Sequence, residues 1–156
     1  MYDARHIANW FVERARRDGY ILSIMSLLKL VYIAHGWHLE MRNAPLFGNK
    51  IEAWKYGPVI PDVYAAFRGQ GINVSSAIAI PNAVAISEWD SHLLEEVYRI
   101  YGRLPATTLS EMTHEPGGPW EQATKRWGWF APIPNDLIQP HYEQKRRIAS
   151  KAENNG

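Results

Sequence analysis

A mainly α-helical chain with a small β element is what this sequence predicts, and three observations predict it. Apolar residues recur at helical spacing through most of the chain. Glycine and proline punctuate that pattern where helices stop and start. One run, Ile51 to Pro61, breaks it with large rings, a Gly-Pro pair and a second proline. The expected architecture is one compact helical domain over residues 1–150 with a central buried helix, followed by a flexible tail over 151–156.

Asp3 is placed to cap a first helix running to Asp18, with Gly19 as its left-handed stop. Ile7, Ala8, Phe11, Val12 and Ala15 form its buried stripe, and Arg14, Arg16 and Arg17 complement the dipole in its last turn. Ser23 or Ser26 can cap a second helix running to about Met41. Its apolar residues, from Leu27 through Leu39, cover most of its circumference, as befits the spine of a core.

After a loop over 43–50, Ile51 to Tyr56 reads as a short extended segment and Gly57-Pro58 as the turn that ends it. A two-residue period then puts Trp54 and Tyr56 on one face and Lys55 on the other. Pro61 suits the first position of a third helix to about Arg68, with Val63, Tyr64 and Phe67 inward. Ile72 to Ile86 reads as a loose hairpin or an extended crossover with a turn at Pro81-Asn82, part of it a candidate partner for the strand at 51–56.

Ser87 followed by Asp90 resembles a capping box for a fourth helix to Tyr101, with Leu93, Leu94, Val97 and Ile100 inward. A short helix within 105–114 is expected to be capped by Thr107 or Thr108. Pro119 opens another that ends near Gly128. Asn135 or Asp136 can cap a turn, and Pro140 can open a last helix to about Ser150.

Composition narrows the function classes. The 156 residues are 46% hydrophobic and 21% charged, which is ordinary globular material. There is no cysteine, so disulfides and thiolate chemistry are excluded and a reducing cytoplasm is the expected compartment. No stretch approaches the apolar length of a membrane span. A net charge of +1 does not call for a polyanion, so nucleic acid is not an expected partner. Seven tryptophans and eight tyrosines fit either a ring-rich core or a binding face.

Catalytic signatures are absent. No phosphate-binding glycine loop, dinucleotide fingerprint or zinc helix is present, and no cofactor is implied. His35 and His38 share a helix face at a spacing that can suit a metal, but a buried, hydrogen-bonded histidine explains His35 better. His114 with Glu111 or Glu115 could form a general base and its partner; the simpler reading has His114 bonding the backbone of the 116–119 loop and fixing Trp120. Arg14-Arg16-Arg17 and Lys145-Arg146-Arg147 read as solvated helix faces.

Three segments together carry a resemblance. They are Leu27-Leu28-Lys29-Leu30-Val31-Tyr32-Ile33-Ala34-His35-Gly36-Trp37-His38-Leu39; Pro45-Leu46-Phe47 followed by Ile51 to Pro61 and Tyr64; and Leu109-Ser110, Thr113-His114 and Pro119-Trp120. In this order they resemble the Panacea domain, also described as SocA-like or phage-associated GepA-like. The resemblance covers most of residues 3–145.

The resemblance implies function by binding. Such domains occur as antitoxins encoded beside toxins of unrelated kinds, often on prophages, and neutralise by direct contact. The SocA-like branch acts instead as an adaptor delivering its toxin to the ClpXP protease. The implied binding surface, or its support, is Trp54, Lys55, Tyr56, Gly57, Pro58, Tyr64, His114 and Trp120. Trp54 and Trp120 would be anchors, and Lys55 would meet an acid on the partner. The segment 72–86 and the tail after Ser150 match no family pattern, so partner specificity is expected to vary there.

Overall fold

The computed structural model describes residues 1–155. Among these it is mainly α, with seven helices and two small antiparallel sheets. Helix α1 spans Ala4–Arg17, and the Asp3 carboxylate caps it by accepting from the Arg5 amide. Strand β1 (Leu22–Ser23) leads into α2 (Ile24–Arg42), where Ser23 is the cap, accepting from the Ser26 amide at 3.1 Å. Asn43 ends α2 with a φ of 53°, a left-handed conformation asparagine tolerates.

Helix α2 is the spine. It is buried almost continuously from Ser26 to Leu39, and it packs against α1, the fourth helix α4 (Glu88–Tyr101), the fifth, α5 (Ala106–Thr113), and the seventh, α7 (Asn135–Asn155). Each fully buried Leu, Val or Ile here contributes about 1.5–3 kcal/mol. The α2–α7 contact depends on Gly36: a Cβ there would overlap the Tyr142 ring. That ring lies edge-on to Trp37 at 4.8 Å.

The aromatic run forms a hairpin, β2 (Glu52–Trp54) with β3 (Gly57–Val59), in which Trp54 pairs with Gly57. Its tip is therefore Lys55-Tyr56, not Gly57-Pro58, and Tyr56 leaves the strand face expected for it. The positive φ of 118° falls on Gly57, which follows the tip as the glycine of a turn-plus-bulge does. Pro58 is tolerated within β3 because its neighbour on that edge is a side chain and not another strand.

Nor does 51–56 pair with 72–86. On its other side β2 takes the segment 130–133, through Phe130 N–H to Ala53 O at 2.8 Å, Ala53 N–H to Ala131 O at 2.9 Å and Ile133 N–H to Ile51 O at 2.8 Å. The strand β4 (Asn73–Val74) pairs with β1 instead, and the rest of 72–86 is an irregular crossover tied to α1 where Asn9 bonds the Ile78 backbone.

The remaining differences have local causes. Helix α3 (Pro61–Phe67) and the sixth, α6 (Pro119–Trp127), each begin on proline as expected. Helix α5 is capped by Pro105 without a side-chain bond, so Thr107 and Thr108 lie inside it. Ile100 is 51% exposed, beyond the buried stripe of Leu93, Leu94 and Val97. Helix α7 starts at Asn135 and carries Pro140 as its sixth residue, just past the first-turn donors that have no intrahelical partner, so one intrahelical bond is forgone. The same helix continues to Asn155, through positions expected to form the tail; Gly156 lies outside the described residues.

Candidate functional site: a clamped hairpin and its aromatic face

Alternate carbonyls of the hairpin are each held by a side chain from a different helix. Trp120 of α6 donates its indole N–H to Trp54 O at 2.7 Å. Ser110 of α5 donates its hydroxyl to Tyr56 O at 2.6 Å. Lys29 of α2 donates its ammonium to Pro58 O at 2.9 Å. The three acceptors lie one on each arm and one at the tip, so every part of the hairpin is held by a donor from the helical core. A two-stranded hairpin is marginal alone; here the core fixes both arms.

Lys29 is 1% exposed, and no carboxylate lies in ion-pair distance among the described residues. Burial pushes its pKa down to about 7. Gly57 makes room for it: a Cβ there would lie 3.0 Å from Nζ and 3.3 Å from Thr113 Oγ1. Lys29, Ser110 and Thr113 were not among the site residues drawn from the sequence. The available signal was a lysine inside the otherwise apolar face-to-face run of α2.

The rings around the clamp form two groups, one about Trp54 and one about Trp120. Trp54 is half-buried and meets Tyr64 edge-on at 5.2 Å and Phe130 at 5.7 Å; its indole N–H bonds Glu52 Oε1 at 2.9 Å. Trp120 packs between His114 at 5.2 Å and Trp129 at 6.0 Å. Tyr56, Trp129 and Phe130 are 59%, 61% and 61% exposed. Phe130 is held outward with a φ of 64°, unusual for a bulky residue. The outer edge of the sheet carries Pro132 and Pro134, which lack donors, so strand addition is blocked there and the side chains are what the face offers.

The residues expected at the site thus divide. Trp54, Tyr64, His114 and Trp120 come together as half-buried rings; Gly57 and Pro58 are buried support; Lys55 and Tyr56 are exposed at the tip. Trp129 and Phe130 join them unexpectedly, because only the pairing of 130–133 with β2 brings them alongside.

His114 does not bond the 116–119 backbone; its Nδ1 lies 3.4 Å from Ser110 Oγ. No bond joins it to Glu111 or Glu115. Glu115 instead bridges His141 Nε2 at 2.8 Å and Lys145 Nζ at 2.6 Å. Burial raises its carboxyl pKa, but these pairings outweigh that and hold it below the ordinary value. His35 and His38 are each committed elsewhere: His35 Nε2 to Asn135 Oδ1 at 2.8 Å, and His38 to Ala44 O at 2.6 Å and Asp90 at 3.2 Å. Burial lowers the His35 pKa to about 4. Among the described residues no cluster of three metal-ligating side chains occurs, and no helix is long and apolar enough to cross a membrane. The basic groups are largely paired: Arg14 with Glu95 and Asp18, Arg146 with Glu40.

Fold and site together define a helical scaffold that displays a rigid hairpin and a face of rings. Comparison with known proteins gives the family. The antitoxin SocA-like, Panacea domain matches residues 27–121. The antitoxin SocA of Caulobacter vibrioides (strain NA1000 / CB15N) is 36% identical over 129 residues, which is 76% of this chain and 69% of that protein. The chain belongs to the SocA-like Panacea family. No solved structure matches it. The matched region contains all three clamp donors and their acceptors, whereas Trp129 and Phe130 lie beyond it.

Proposed function

We propose that this protein is an antitoxin that neutralises a toxin protein by direct, non-enzymatic binding, and that the hairpin tip with its aromatic face is the contact surface. Membership of the family and the likeness to an antitoxin support the general role. The observation that carries the contact surface is the exposure of Tyr56, Trp129 and Phe130 on backbone clamped from beneath. Rings held in place lose little entropy on binding, and Trp and Tyr dominate interface energetics. The clamp and the tip lie within the family match, so they supply the shared scaffold and contact, and the rings at 129–130, beyond the match, supply partner selectivity.

Co-expression with the protein encoded by the neighbouring reading frame tests this. Direct neutralisation gives growth rescue, a complex that co-purifies at fixed stoichiometry, and a steady toxin level. Rescue with falling toxin level and no stable complex identifies delivery to a protease such as ClpXP and overturns the direct-binding reading.

A further inference from the structure

The charges around the aromatic face point to the chemistry of what it binds. Lys55 stands at the hairpin tip with its ammonium 5.5 Å from the Tyr56 ring centre. Arg68 caps the C-terminus of α3, its N–H bonding the Tyr64 carbonyl, and so lies one turn beyond that ring. Both are exposed, and neither lies within ion-pair distance of an acid among the described residues. They share this with Arg17, Lys50, Arg126 and Arg147 but flank the rings, whereas Arg14, Arg99, Lys125, Lys145 and Arg146 each have a carboxylate partner.

Of the acids near the face, only Glu121 is paired with a cation. Glu52 accepts from the Trp54 indole. Asp62 accepts from Asn49. Glu121 takes the Gly117 amide and Lys125. Lys55 and Arg68 therefore bring two unpaired cations to a margin whose own acid, Glu52, has only the neutral Trp54 indole as its partner, so positive charge is in excess around the apolar centre.

We propose that the toxin presents an apolar protrusion flanked by carboxylates, which seats on Trp54, Tyr64 and Phe130 and pairs with Lys55 and Arg68. This inference rests on the direct-binding reading above. Two features favour a protein partner over single-stranded nucleic acid. Trp54 meets Tyr64 and Phe130 at steep interplanar angles, 70° and 71°, so these rings make no parallel ladder on which successive bases could stack. Two cations are also too few to track a phosphate backbone. Cations at the rim of an apolar centre steer association and select partners of opposite charge.

The test compares the purified protein, the double variant Lys55→Glu/Arg68→Glu, and the control Arg147→Glu/Lys151→Glu on α7, which makes the same charge change elsewhere. Association with the neighbouring reading frame's product is followed by surface kinetics at rising salt. The expected result is a wild-type on-rate that falls with salt, an on-rate at least about tenfold lower in the Lys55/Arg68 variant with a flattened salt dependence, and a control close to wild type. Unchanged melting temperatures show that the variants are folded. A wild-type complex that the Lys55/Arg68 variant forms equally fast and tightly overturns the inference while leaving direct binding intact. Equal weakening by the control reduces the effect to net charge and overturns it too. Absence of any wild-type complex overturns the binding reading and this inference with it. Salt-sensitive capture of a single-stranded oligonucleotide that competes with the toxin assigns the face to nucleic acid and rejects an acidic protein partner.

Discussion

Gly57 leaves its α-carbon open to the buried ammonium of Lys29, which would stand 3.0 Å from any Cβ added there. With a φ of 118° as well, the position is closed to side chains on two counts. Gly57→Ala is predicted to destabilise the protein by about 1–3 kcal/mol, read as a lower urea midpoint with an unchanged slope. An unchanged midpoint would mean that the hairpin bends elsewhere.

Lys29 makes stability depend on pH in an unusual direction. Its folded pKa of about 7 lies below the ordinary 10.5. Between those values the unfolded chain holds a proton that the folded one has released. Stability therefore rises with pH across this window, by at most about 1.4 kcal/mol per unit. Thermal melts from about pH 7 to about pH 9 are expected to show a rising component that Lys29→Met removes. Parallel profiles for the two proteins would show that the amine is charged throughout.

Trp120→Phe keeps a ring but deletes the donor to Trp54 O. A part-buried carbonyl left without its partner costs about 1 kcal/mol. The expected result is a modest fall in stability with faster amide exchange at 54–57 and little change in α1 or α2. Uniform acceleration over the whole chain would instead make Trp120 a general packing residue.

Close approach of α2 and α7 depends on Gly36 beneath Tyr142. Gly36→Ala gains helix propensity but must displace the ring, so a net loss of about 1–3 kcal/mol is predicted. Gly36→Ala/Tyr142→Leu is expected to recover part of it. A single variant as stable as the parent would contradict the packing described.

Much of the helical frame was legible because caps and apolar periods are local. Asp3, Ser23 and Ser87 cap the helices the sequence assigned to them, and α2 is as buried as its circumference of apolar residues implied. What failed was non-local. Strand pairing of 51–56 depended on a partner segment, 130–133, with no strand signature of its own and two prolines nearby. Pro140 misleads because a proline more often opens a helix than sits within it. At the site, the rings Trp54, Tyr64 and Trp120 were legible as residues, but their division into clamp and surface was not. Lys29 was hidden because a buried amine's single carbonyl partner is set by folding, not by spacing.

The most direct test of the binding face is calorimetric titration of the neighbouring reading frame's product with the parent protein and with Tyr56→Ala/Trp129→Ala. Both residues are exposed and outside the clamp donors, so the melting temperature should hold. The account predicts a loss of affinity of at least about a hundredfold, the scale of two interface hot spots. Affinity equal to the parent's, in a protein with an unchanged melting temperature, would contradict it and move the toxin contact to another surface.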